Sequence, residues 1–274
     1  MQLGTFMGQI NCAAKESGMS QTEVFNLFKK DGLCYVDVSS GDIRGLSPKG
    51  MYERLEGNGI SVGSFFHLFA FDGIYDKEIE ALKEDIKRQI EACADLHTQF
   101  YMPVPVVNNP HKDKQTFLDM RKRFAEYLQN ALEIGNQVGV QTVIENYSDR
   151  KNPNASIEDI AYLLKEVPGL KYVLDCGNFW FGGDDVLRAT DLFMDKTVHV
   201  HLKDLTETPM GRLCVCGKRG ESVTIGDGEI PMYKILQKLK ENGYDGGLTI
   251  EINHNENMMT EIATSIKNVK EMLQ

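Results

Sequence analysis

Short apolar runs alternate along this chain with longer stretches whose apolar residues recur at three and four positions. The first kind reads as buried strands and the second as amphipathic helices. Leu3 to Ile10 supplies a first strand, weakened by Gly4 and Gly8. Ser20 and Glu23 form a capping box ahead of Val24, Phe25, Leu27 and Phe28, and Gly32 stops that helix. Cys34 to Val38 is a second strand. Met51 and Leu55 mark a short helix closed by the Gly57-Asn58-Gly59 turn, and Ile60 to Leu68 is a third strand. Ile79, Leu82, Ile86, Ile90 and Cys93 line one face of a helix over Asp76 to Leu96. Thr98 to Met102 is a fourth strand, closed by Pro103 and Pro105, and Phe117, Met120, Phe124, Leu128, Ala131 and Ile134 share a face of the next helix.

The second half repeats the alternation with a sharper feature: each strand ends on one residue able to bind a metal. Val140 to Ile144 runs into Glu145, Tyr172 to Leu174 into Asp175, Val198 to Val200 into His201, and Leu248 to Ile250 into Glu251. Between them lie a helix capped by Ser156, a short helix over Asp184 to Phe193, and an irregular stretch from Asp204 to Glu229. A helix opened by Pro231 follows, and a last one carries Ile262, Ile266 and Val269. Eight strands alternating with helices imply a parallel sheet closed into a (β/α)8 TIM barrel, with residues 1–274 as a single α/β domain. A doubly wound open sheet would want a glycine-rich phosphate turn after its first strand, and Gly4-Thr5-Phe6-Met7-Gly8 is not one.

Composition narrows the function. The net charge of −10 disfavours a nucleic-acid footprint, which needs a basic face. No apolar run approaches the roughly 20 residues that span a bilayer, so no membrane partner is expected. The six cysteines do not form a disulfide framework, and Cys214 and Cys216 lack the second pair of a structural zinc site. All six are expected reduced and the protein cytoplasmic.

Side chains alternate across a strand, so an inward Glu145 brings Val143 inward and turns Thr142 and Ile144 toward the helices. Asp175 pairs likewise with Val173, His201 with His199, and Glu251 with Thr249. Their outward partners are Tyr172, Leu174, Val198, Val200, Leu202, Leu248, Ile250 and Ile252, apolar enough to pack under helices. Four polar ends then meet at the rim where barrel active sites lie. Three carboxylates and one imidazole favour one divalent cation, Mn²⁺ or Mg²⁺ first, with Co²⁺ and Zn²⁺ also accepted by the set. Four protein ligands on a six-coordinate ion leave two positions for a substrate's oxygens. A chelated hydroxy-ketone has its carbonyl polarised and its neighbouring C–H acidified, so that it enolises to an enediolate. Glu145 and Glu251 then form the acid/base pair, one removing the proton and the other returning it.

The runs Ile144-Glu145-Asn146, Leu174-Asp175-Cys176-Gly177-Asn178, His199-Val200-His201-Leu202-Lys203-Asp204, Gly226-Asp227-Gly228-Glu229-Ile230 and Leu248-Thr249-Ile250-Glu251-Ile252 stand in characteristic order and spacing. In this the chain resembles the sugar-phosphate isomerase/epimerase family of the xylose-isomerase-like barrel superfamily, with its ketose 3-epimerases, hydroxypyruvate isomerase and inosose dehydratase. The resemblance implies one divalent metal on Glu145, Asp175, His201 and Glu251, with the two glutamates as acid and base. It also implies a small carbohydrate as substrate, and it is compatible with a homo-oligomer. Two features depart from the pattern. Asn178 stands where a substrate-touching histidine is common, and no arginine follows His201 at the epimerase spacing, Arg212 and Arg219 coming later.

Further candidates for substrate binding are His67 at the end of strand three, Lys203 with inward parity, Trp180 beside Phe181, and Arg219 as an anion clamp. Each has a plainer structural alternative as a rim, packing or loop residue. His199 reads as a support for His201, His254 as either rim or site, and Asp204 as a hydrogen-bonding tie for its loop. Against the isomerase or epimerase stand a metal-dependent dehydratase of a cyclic polyol ketone, an apurinic-site DNA endonuclease, and a barrel that only binds sugar. The endonuclease would want extra histidines, one of them where Asn178 stands.

Overall fold

The structure is a computed structural model that describes residues 1–73, 79–109, 111, 113–215, 217–253 and 256–274. Eight strands close a barrel: β1 Gln2–Phe6, β2 Leu33–Ser39, β3 Ser61–Ala70, β4 Phe100–Val106, β5 Gln141–Glu145, β6 Lys171–Asp175, β7 Thr197–Leu202 and β10 Gly247–Ile250. The order around the ring is β1-β10-β7-β6-β5-β4-β3-β2, and every neighbouring pair is parallel. The expected (β/α)8 barrel is thus present. Among the described residues no helix is long and apolar enough to cross a membrane.

Strand alternation sorts the apolar residues into two cores. Met102, Val104, Val143 and Val173 form a small cluster inside the barrel. Ile144, Tyr172, Leu174, Val200, Leu202, Leu248 and Ile250 belong to the larger cluster outside it. Helices α5 (Lys114–Asn136), α6 (Ile157–Glu166), α9 (Met232–Glu241) and α10 (Met258–Met272) add to that outer layer through Leu128, Ile160, Ile235 and Ile262. Val198 breaks the expected parity. The β6–β7 register shifts there, pairing Tyr172 with Thr197 but Val173 with His199, and Val198 packs on the inner cluster.

The barrel floor is set by Tyr35. Its buried ring leaves no room for a side chain at Gly4 or Gly63, where an added Cβ would come within 2.1 Å and 2.4 Å of it. The glycine that weakened strand one is therefore the space its neighbour's aromatic ring fills. Gly63→Ala is expected to destabilise the protein by about 1–3 kcal/mol through overpacking, read from the urea midpoint; an unchanged midpoint would show that the floor repacks freely.

Four local readings change. Strand one stops at Phe6, because helix α1 (Met7–Ser17) begins at once, burying Met7, Ile10 and Ala13 at helical spacing. Pro103 and Pro105 lie inside β4 rather than closing it. Gln99 offers its carbonyl to Gln141 of β5, so the odd positions of β4 turn that way, and the β4–β5 ladder ends at Tyr101 before either proline would have to donate. The stretch after His201 is not irregular: β8 (Asp204–Leu213) and β9 (Arg219–Val223) form an antiparallel pair over the rim. Finally, Cys214 in that region is disulfide-bonded, so the six cysteines are not all reduced. Cys12, Cys34, Cys93 and Cys176 are in no disulfide, while Cys216 lies outside the described residues.

Asp204 anchors this excursion as expected of a loop tie. Its carboxylate accepts from the backbone N–H groups of Leu205, Gly226, Gly228 and Ile230. The Gly226-Asp227-Gly228 motif serves that buried acid: a Cβ at Gly228 would lie 2.1 Å from Asp204 Oδ1.

Candidate metal and acid–base site

Strands β5, β6, β7 and β10 are consecutive around the ring, so Glu145, Asp175, His201 and Glu251 form an arc with the glutamates at its two ends. One ligand atom from each lies within 4.8 Å of the others. Glu145 Oε1 is 2.5 Å from His201 Nδ1, and Glu251 Oε2 is 3.7 Å from the same nitrogen. Asp175 and His201 are buried, and Glu251 keeps some exposure toward the cavity.

Asn146 explains why the motifs run Ile-Glu-Asn and Asp-Cys-Gly-Asn. Its amide N–H donates to the Asp175 carbonyl, and its amide oxygen accepts from Tyr172 O–H and the Asp175 N–H. That fastens the end of β5 to the end of β6. Asp175 Oδ1 accepts the backbone N–H groups of Gly177 and Asn178, which open helix α7 (Asn178–Gly182). Gly177 must lack a side chain, since a Cβ there would stand 2.7 Å from Lys203 Cγ and 2.9 Å from its carbonyl oxygen.

Lys203 enters the site through that gap. Its ammonium donates to Asp175 Oδ2 at 2.7 Å and to Asn178 Oδ1 at 2.9 Å, and lies 2.7 Å from Glu251 Oε1. Burial opposes this charge, but Asp175, Glu251 and Glu145 outweigh it and hold the lysine above its ordinary range. One ammonium serves several acids, so burial, with Glu251 adding to it, still pushes Asp175 up to about 6. Burial likewise works against a charged His201, yet Glu145 and Asp37 raise it well above the usual imidazole range. Lys203→Met is expected to cost the cation-free protein about 3–5 kcal/mol, because it strands buried carboxylates. Thermal unfolding should also show a larger gain on adding divalent cation than in the parent; equal gains would mean that Lys203 does not balance these charges.

The donor set fits a divalent cation. Ligands bound at about 2.0–2.4 Å stand no more than about 4–5 Å apart across an ion, which is the spacing of these four atoms. The acids Asp37, Glu145, Asp175 and Glu251 outnumber the positive charges of Lys203 and His201 beside them, and oxygen-rich donors suit a hard ion.

Glu145, His201 and Glu251 open on a cavity of about 280 Å³, with Asp175 buried behind them. Phe6, Phe66, Leu68, Met102 and Val104 make its apolar wall, and Asn178, Lys203, Tyr147 and Arg212 its polar one. Phe6 packs edge-on against both His201 and Phe66, at ring separations of 5.0 Å and 5.4 Å.

Three weaker candidates do not line this cavity. His67 is on the opposite face of β3 from Phe66 and Leu68 and stacks on Phe69, because side chains alternate along the strand. Trp180 packs edge-on against Phe181 and fills the space over Gly220 of β9, leaving Phe181 to line the cavity. Arg219 donates to the Gly211 carbonyl within the β8–β9 pair. Arg212 takes the place foreseen for Arg219: it lines the cavity, donates to Ser148 Oγ at 2.6 Å and lies over the Phe181 ring at 4.8 Å. His254 lies outside the described residues. Asn178 and Lys203 do line the cavity, with Asn178 holding the lysine.

Beneath the arc lies a buried group that the sequence reading missed. Asp37, from β2, accepts a hydrogen bond from Thr249 Oγ1 at 2.6 Å and lies 2.9 Å from His199 Nε2. Burial opposes its charge, but the two histidines override that and keep its carboxyl well below the usual range.

Residues 13–272 match the family model described as xylose isomerase-like TIM barrel. The chain belongs to that family. An inosose isomerase of Halalkalibacterium halodurans is 24% identical to this xylose isomerase-like barrel over 192 residues, 68% of this chain and 64% of that protein. An inosose dehydratase of Lacticaseibacillus casei is 24% identical over 147 residues, 51% of this chain and 49% of the relative. The match thus spans about half to two thirds of these relatives' length. Among solved structures, a sugar phosphate isomerase/epimerase of Parabacteroides distasonis superposes with a TM-score of 0.75 at 15% identity, covering 97% of this chain and 94% of the other. An IOLI protein crystallised with a bound zinc atom also gives 0.75, at 17% identity, covering 100% and 98%. Those two likenesses show the shared fold.

Proposed function

We propose that this chain is a divalent-cation-dependent enzyme that moves a proton beside the carbonyl of a small sugar or polyol ketone, as an isomerase or epimerase. The observation that carries the reading is the arc itself: four ligand atoms within 4.8 Å of one another, bracketed by two glutamates at the mouth of a barrel cavity. Glu145, Asp175, His201 and Glu251 would hold the cation, Mn²⁺ or Mg²⁺ by donor chemistry, with Zn²⁺ also compatible. When bound, it polarises a chelated carbonyl and acidifies the adjacent C–H.

The residues of the chain do the rest. Glu251 and Glu145, at opposite ends of the arc, reach the two faces of a ketone lying across it, and each can take or return a proton. Lys203, held by Asp175 and Asn178, offers N–H donors to a substrate hydroxyl beside Glu251. Phe6, Phe66 and Leu68 exclude water from one side. Return of the proton to the same carbon from the opposite face inverts a centre; return to the neighbouring carbon interconverts aldose and ketose.

A second reading shares the first step and then expels a hydroxyl group, making the enzyme a dehydratase of a cyclic polyol ketone. The names of its sequence relatives, an inosose isomerase and inosose dehydratases, favour this substrate class. One experiment addresses both. The cation-loaded protein is incubated in deuterated water with inososes, ketoses, aldoses and hydroxypyruvate, and proton NMR follows deuterium uptake beside the carbonyl. Uptake with an isomeric product supports the first reading, and a product lighter by one water the second. No uptake from any of these substrates would contradict both.

A further inference from the structure

We propose that Asp37 is a positioning residue of the cation centre: its buried carboxylate takes the Nε2–H of His201 as a hydrogen bond and so turns the Nδ1 lone pair toward Glu145, Asp175 and Glu251. This rests on the reading of that arc as a cation site.

An imidazole offers a metal only the nitrogen that lacks a proton. In His201 that nitrogen must be Nδ1, which stands 2.5 Å from Glu145 and 3.7 Å from Glu251, while Nε2 points down into the barrel. The neutral ring then carries its proton on Nε2, which is buried and has no hydrogen bond of good geometry. Asp37 Oδ2 lies 3.4 Å from it, somewhat longer than an ordinary hydrogen bond. When Nδ1 no longer donates to Glu145, a small tilt of the ring shortens this gap to a hydrogen bond of about 2.9 Å.

The surroundings hold Asp37 in place for that contact. Thr249 gives its single hydroxyl hydrogen to Asp37 Oδ2, so Tyr35 O–H, 2.9 Å from Thr249 Oγ1, donates to that oxygen. His199 Nε2 lies 2.9 Å from both Asp37 Oδ2 and Thr249 Oγ1. Gly63 leaves the carboxylate its space, since a Cβ there would stand 2.6 Å from Asp37 Oδ1. Asp37, His199 and His201 also converge closely enough to hold an ion themselves. The hydroxyl and ring nitrogens gathered around one carboxylate oxygen instead make a hydrogen-bond hub, and cation stoichiometry separates the two.

The test uses the whole chain stripped of metal. Calorimetric titration with Mn²⁺ should give one cation per chain, bound about 10–100-fold more weakly by Asp37→Asn, the usual cost of losing such a partner. An asparagine amide can donate to Nε2 and so favours the wrong tautomer. Independently of whether that variant folds, nitrogen-15 NMR of the parent loaded with diamagnetic Zn²⁺ should show His201 protonated at Nε2 and not at Nδ1. Equal affinities, an unprotonated Nε2, or two cations per chain of which Asp37→Asn loses one would each overturn the assignment. A parent that binds no divalent cation would overturn the proposed function as well, whereas unaltered binding by Asp37→Asn overturns this inference alone.

Discussion

Glu251→Gln is expected to slow exchange of the proton beside the substrate carbonyl by about 10²–10⁴-fold, the usual contribution of a positioned base. Glutamine keeps the shape and can still accept hydrogen bonds from Lys203, whose ammonium lies 2.7 Å from Glu251 Oε1. It cannot take a proton. The residue is only partly buried at the cavity edge, so the barrel should survive the change, which circular dichroism and an unchanged unfolding midpoint would show. Because the same carboxylate is a proposed ligand, exchange is measured at cation concentrations that saturate the variant. Undiminished deuterium uptake under those conditions would remove Glu251 from the proton path.

Stripping the protein with a chelator should abolish turnover, and adding Mn²⁺ or Mg²⁺ should restore it. The charges give the reason. Glu145, Asp175 and Glu251 converge with His201 within 4.8 Å, and of the positive groups beside them Lys203 is already shared between Asp175 and Glu251 while His201 is engaged by Glu145. Without a divalent ion a ketone oxygen loses its strongest electrophile, because Lys203 is held by Asp175 and Glu251. The stripped protein should also unfold at a lower temperature, since bound cation adds RT ln(1 + [L]/Kd) to the stability of the loaded protein. Full activity in protein shown to be metal-free would end the proposal.

The convergence of Glu145, Asp175, His201 and Glu251 could be read from the chain because their four strands are short and bounded. Val143 and Val173 had to share a face with the acids, and both lie in the inner cluster, while Thr249 reaches Asp37 inside the barrel. Where the pattern lacked contrast the reading slipped. Phe65-Phe66-His67-Leu68-Phe69 carries no polar alternation, so nothing local told that Phe66 and Leu68 face the cavity and His67 the helices. Register was the missing information. Between Asp204 and Glu229, the β8–β9 pairing depends on Asp204 gathering backbone N–H groups more than twenty residues away, a contact without helical or strand period. That pairing brings Arg212 rather than Arg219 to the cavity. Asp37 was invisible for a related reason. In Tyr35-Val36-Asp37-Val38 it looks like one acid in an apolar run, and its partners Thr249 and His199 come from the far end of the chain.

Crystals of the protein soaked in Mn²⁺ and measured for its anomalous scattering test the central claim most directly. The account predicts one strong peak per chain, within about 2.0–2.5 Å of a carboxylate oxygen of Glu145, Asp175 and Glu251 and of His201 Nδ1. A peak elsewhere, or an arc of four side chains with no ion among them at saturating Mn²⁺, would contradict it.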